Sequence, residues 1–172
     1  KGFEADLTVN PLDGLTLNAA YAYTDTKIPQ AANPFTGVKQ DVFVVFTPKN
    51  ALSGSVDYVM PFQKADLKFH VDANYSQATQ TFDQYATKND SAVIVNARIS
   101  LADIEVGDNG VKLGLALWSR NLSNETHVYR RDPSNSLPSF GNTATGSINN
   151  VLGDYGNLNA PRTFGMEATV KF

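Results

Sequence analysis

Phe164-Gly165-Met166-Glu167-Ala168-Thr169-Val170-Lys171-Phe172 closes the chain, and its reading decides the fold. Phe164, Met166, Ala168, Val170 and Phe172 are apolar, while Gly165, Glu167, Thr169 and Lys171 lie between them. A period of two puts the apolar residues on one face of a β-strand and the others on the opposite face.

Working backwards, the same alternation recurs in six further segments. Phe3, Ala5, Leu7 and Val9 alternate with Glu4, Asp6 and Thr8, before the turn residues Pro11-Leu12-Asp13-Gly14. Leu15, Leu17, Ala19, Tyr21 and Tyr23 follow, then a polar loop over roughly 25–41. Leu52, Gly54, Val56, Tyr58 and Met60 form a third face, and a short turn from Pro61 to Asp66 leads to Leu67, Phe69, Val71, Ala73 and Tyr75. Beyond a polar loop at 79–90 come Val93, Val95, Ala97, Ile99 and Leu101, with Ile94 breaking the pattern. Gly107-Asp108-Asn109-Gly110 reads as a hairpin turn rather than a calcium loop, since no ligand series follows. A strand over 111–122 and a long Asn-, Ser-, Gly- and Pro-rich loop over 123–160 complete the chain.

Composition narrows what seven such strands can be. The 172 residues contain no Cys, which excludes disulfides, thiolate metal sites and cysteine nucleophiles. A net charge of −3 without a basic block argues against nucleic acid as a partner. Mean hydropathy is −0.25, and no apolar run approaches the roughly 18 residues of a membrane helix. A transmembrane β-barrel passes unseen through that test, because its lipid- and lumen-facing residues alternate and cancel.

The connections alternate short, long, short, long, which is the pattern of a meander crossing a slab. Each strand is about ten residues, the length a tilted strand needs to cross the hydrocarbon core. An all-β, antiparallel transmembrane barrel is therefore expected, with short periplasmic turns and long extracellular loops. Tyr21, Tyr23 and Tyr75 then approach the outer interface, and Tyr58 and Phe172 the inner one. Glu4, Asp6, Lys68, His70, Asp72, Arg98, Glu167 and Lys171 fall on the lumen side, where a solvated polar wall accounts for them.

Several stretches together resemble the C-terminal barrel of TonB-dependent outer-membrane receptors. These are Gly2-Phe3-Glu4-Ala5-Asp6-Leu7 running through Asn10-Pro11-Leu12-Asp13-Gly14 to Asp25; Thr47-Pro48-Lys49-Asn50; Ser119-Arg120-Asn121-Leu122-Ser123-Asn124 with Tyr129; and Ala160-Pro161-Arg162-Thr163-Phe164-Gly165 leading to Phe172. The resemblance implies a barrel of about 22 strands around an N-terminal plug, to which residues 1–172 contribute the last seven or so. The chain opens on Lys1-Gly2-Phe3-Glu4 without a signal peptide, so plug and TonB-contacting box are expected upstream of it. It also implies bacterial outer-membrane location and import of a scarce solute, a ferric siderophore being the commonest cargo. Expected partners are the TonB complex, outer-membrane lipid and lipopolysaccharide, and the barrel-assembly machinery. That machinery would read the closing strand Phe164, Met166, Ala168, Val170 and Phe172.

No enzyme motif is present: there is no P-loop, no G-x-S-x-G and no H-E-x-x-H. No cofactor is expected, and two histidines, His70 and His127, are too few for a metal site. Two glycosylation-type triplets, Asn121-Leu122-Ser123 and Asn124-Glu125-Thr126, are incidental in a bacterial barrel. Trp118, the only Trp, fits either an interfacial girdle or a packing role. Ligand contact is expected in the 123–160 loop, where His127, Tyr129, Arg130, Arg131 and Phe140 collect cationic and aromatic groups. Arginine there would engage an anionic chelate through charge-assisted hydrogen bonds. The alternatives are a small passive outer-membrane barrel acting as pore or adhesin, and a soluble β-sandwich binding module.

Overall fold

The computed structural model describes residues 1–32, 37–81, 87–107, 110–132 and 155–172. Seven antiparallel strands form one sheet in the order β1 (Gly2–Leu12), β2 (Leu15–Thr24), β5 (Asn50–Phe62), β6 (Ala65–Ser76), β7 (Ala92–Val106), β8 (Val111–Arg120) and β11 (Thr163–Lys171). These are the seven segments the alternation marks. Two small hairpins lie within the long connections, β3 (Ile28–Ala32) with β4 (Lys39–Val42), and β9 (Val128–Asp132) with β10 (Tyr155–Leu158). Neither hairpin carries a long alternating run, so both read from sequence as loop.

Cross-strand register shows that the apolar residues share one face. One row runs Leu15, Tyr58, Phe69, Ile99, Leu117, Met166; another runs Val9, Leu17, Val56, Val71, Ala97, Ser119, Phe164. Leu15 abuts the first turn, whereas Ile99 and Leu117 lie mid-strand. The strands are therefore staggered, as the tilt of a barrel wall demands.

Among the described residues, nothing packs on that apolar face. Ala116 is the only buried hydrophobic residue among those described, while Leu7, Leu117 and Phe164 are 58%, 57% and 71% exposed. A sandwich would bury such a face against a second sheet; this one meets solvent of its own polarity, which for a row of Leu, Val, Ile and Phe is lipid.

The short connections lie at one end of the sheet. In the first, Gly14 has φ +78°, and a Cβ there would fall 2.0 Å from the Val59 carbonyl oxygen. The turn tucks against β5, with Val59 N–H donating to Gly14 O at 2.8 Å, and only glycine fits. Gly107 and Gly110 also hold positive φ at the third turn. Just before it, β7 bulges between Leu101 and Ile104, with Asp103 at φ 56°.

Candidate functional site

On the polar face, the row Thr8, Asn18, Ser55, Asp72, Asn96 continues into Asp57, His70, Arg98 one step along the strands. His70 sits between two carboxylates, with Nδ1 2.6 Å from Asp57 Oδ1 and Nε2 3.3 Å from Asp72 Oδ1. Asn74 and Asn96 both donate to Asp72 Oδ2 at 2.9 Å. Further along, Arg98 makes a bidentate pair with Glu167, at 3.2 and 3.1 Å, reaching across β8. Lys171 and Lys68 meet Asp103 at 3.3 and 3.9 Å. The charges assigned to the lumen wall therefore do share a face, and six of the eight, all but Glu4 and Asp6, lie within 4.0 Å of an ionisable partner there.

Trp118 belongs to this polar face, opposite Arg98 and Gly165. Its ring lies against Gly165, where a Cβ would fall 2.3 Å from Cζ2. Glycine on the closing strand leaves room for the indole to cover bare backbone. The sequence left girdle and packing open; the register decides for packing.

At the opposite end from the turns, the three long connections are joined to one another. Phe46 N–H donates to Gln80 O at 2.9 Å, tying the 25–49 connection to the 77–91 connection. Asn89 Oδ1 accepts from Thr79 N and Oγ1 at 2.6 and 3.0 Å, while its Nδ2 donates to Tyr129 O at 2.8 Å. Asp90 and Val128 exchange two bonds: Asp90 N–H to Val128 O at 2.9 Å, and Val128 N–H to Asp90 Oδ2 at 2.8 Å. Arg131 Nη2 closes the set on Asp90 Oδ1 at 2.7 Å. The Val128 amide and the Arg131 guanidinium hold the Asp90 carboxyl below the usual carboxylate range.

Asn121 organises the start of the third connection. It is 4% exposed, in the left-handed conformation at φ 50° that Asn tolerates. Its Nδ2 donates to Glu125 O at 2.8 Å and Ala160 O at 3.2 Å, and its Oδ1 accepts from Glu125 N–H at 2.9 Å. This residue opens the Asn121-Leu122-Ser123-Asn124 stretch; nothing in its type marked it as a hub.

Of the proposed ligand residues, four sit on or beside β9. His127 is spent inside the loop: its side chain is 11% exposed, with Nδ1 2.7 Å from Glu125 Oε2 and its N–H on Asn159 Oδ1 at 2.9 Å. Arg131 is engaged by Asp90. Tyr129 is 47% exposed, its hydroxyl 3.5 Å from Asn157 Nδ2. Arg130 is exposed and has no acidic partner among the described residues. Phe140 lies outside the described residues. Phe164, Met166, Ala168 and Val170 share the apolar face of β11, and Phe172 follows it fully exposed.

No solved structure matches this chain. A family model described as "TonB dependent receptor-like, beta-barrel" matches residues 1–122, from β1 to just past β8. That span holds six of the seven sheet strands, and its faces, turns and welded outer loops are those of a membrane-crossing wall. An apolar face that no described residue covers and a polar one laced with ion pairs have their place in the bacterial outer membrane, in a transport protein rather than an enzyme: the chain belongs to the TonB-dependent receptor β-barrel family.

Proposed function

We propose that this protein imports a ferric siderophore, an anionic iron chelate captured at the outer loops and passed inward when TonB acts. The observation that carries the reading is Arg130, exposed beside Tyr129 on a hairpin that Asp90, Asn89 and Arg131 tie to the neighbouring loop. A carboxylate- or catecholate-bearing chelate needs a cation that is not already neutralised, held on a rigid support. Arg130 meets that need, and Tyr129 adds a ring and a hydroxyl. His127 and Arg131 serve the same site by holding the hairpin.

In this reading residues 1–172 supply the last strands of the barrel, with plug and TonB-contacting segment upstream. Phe164, Met166, Ala168, Val170 and Phe172 present the strand that the barrel-assembly machinery recognises, and lipopolysaccharide surrounds the outer rim. The test is binding and uptake of labelled ferric siderophores by the full-length receptor in cells. Arg130→Ala is expected to weaken binding roughly tenfold, the worth of one charge-assisted contact. Unchanged binding of every siderophore tried, with intact barrel levels, would remove Arg130 from the site.

A further inference from the structure

The outward face carries a depression that the transport reading does not use. Ala97 and Ser119, side by side on β7 and β8, are the small members of a row otherwise built of Val, Leu and Phe. Phe69, Ile99, Leu117 and Phe164 rise around them, leaving an apolar groove of about 600 Å³. Ser119 is 9% exposed, with its Oγ buried beneath the groove floor.

Above the groove stands a cation. Arg162 precedes β11, its guanidinium 5.5 Å from the Phe164 ring centroid, with Nη1 donating to Leu122 O at 3.3 Å. It therefore lies on the outward side, at the outer end of the sheet. Lys49 stands in the same way 5.6 Å from the ring of outward-facing Tyr23.

From the outer surface inward the order is guanidinium, then apolar groove. An outer-leaflet amphiphile presents its groups in that order: phosphate, then the acyl chain. We propose that this groove is a binding site for lipopolysaccharide, with one acyl chain in the groove and a phosphate on Arg162. The proposal rests on lipopolysaccharide lying against the outer rim, and adds where it is held. Arginine suits a phosphate because its fork offers paired donors, and burying a chain along Ile99 and Leu117 replaces looser lipid contact by a shaped one.

The experiment uses the full-length receptor, extracted in mild detergent and examined by native mass spectrometry for retained lipid. The wild type is expected to keep lipopolysaccharide. Arg162→Glu, and separately Ala97→Phe, which fills the groove floor, are each expected to lower retention roughly tenfold, whereas Lys49→Glu leaves it unchanged. Equal retention in the Arg162 and Ala97 variants, with the barrel folded by its gel mobility, would overturn the site while leaving rim contact standing. Retention of glycerophospholipid alone would overturn the choice of occupant. A wild type that keeps no lipopolysaccharide would remove the rim contact itself.

Discussion

Replacing Gly165 by alanine adds one methyl group where the structure has no room for it. The new Cβ would lie 2.3 Å from Trp118 Cζ2 and 2.5 Å from Cε2, about 1.5 Å inside ordinary carbon contact. The indole is rigid, so it must swing off the strand, giving up its cover of the β8–β11 pair. Overpacking of this kind costs about 1–3 kcal/mol. In a Trp118→Ala background the same methyl meets no ring, and alanine is favoured over glycine in a strand by about 0.5–1 kcal/mol. The effect of Gly165→Ala is therefore expected to reverse sign between the two backgrounds, with a coupling of about 2 kcal/mol. Folded fraction of the full-length receptor across a urea series, read by gel mobility, measures all four corners of the cycle. An equal cost of Gly165→Ala with and without the indole would refute the account of Trp118 as the partner that requires glycine.

Further outcomes follow from the facing and from the outer loops. Ile99→Arg puts a charge on the lipid side in mid-strand and should cost about 2–4 kcal/mol, while Ser53→Arg, on the face of Asp6 and Asn74, should be tolerated; equal costs in the same urea assay would reverse the assigned faces. Asn121→Leu removes three side-chain hydrogen bonds from a buried position and should destabilise the outer loops by about 1–3 kcal/mol; unchanged hydrogen-exchange protection over 121–132 would contradict this. Because the folded Asp90 pKa is depressed, its contribution is present above the unfolded value near 3.8 and is lost as pH falls through the folded one. Exchange protection of β9 and β10 should therefore hold at neutral pH and fall in the acid range below about 3.8. Asp90→Asn should show weaker protection and lose that acid step; an identical acid profile would show that another group holds the hairpin.

The seven wall strands were legible because each carries its own evidence. Leu67, Phe69, Val71, Ala73 and Tyr75 alternate with polar residues whatever they pair with, and a period of two has one structural meaning. The short hairpins were not, since Val128–Asp132 is too brief and too polar to alternate visibly; it is a strand because Tyr155–Leu158 and Asp90 supply its partners. The proposed ligand residues divide the same way. Sequence could collect His127, Tyr129, Arg130 and Arg131 by type, but not see that Glu125 and Asp90 occupy two of them.

By itself the sequence determined the architecture class, the strand boundaries to within a few residues, the two faces and the end at which the loops gather. These are properties of residues taken in local order, fixed by the geometry of the extended chain. Only the tertiary structure decided which strand lies beside which residue for residue, that Trp118 covers Gly165, that Arg98 reaches past β8 to Glu167, and that Asp90 holds the β9–β10 hairpin. Those contacts join residues far apart in the chain, and their selection depends on register and stagger across several strands, which no single segment encodes.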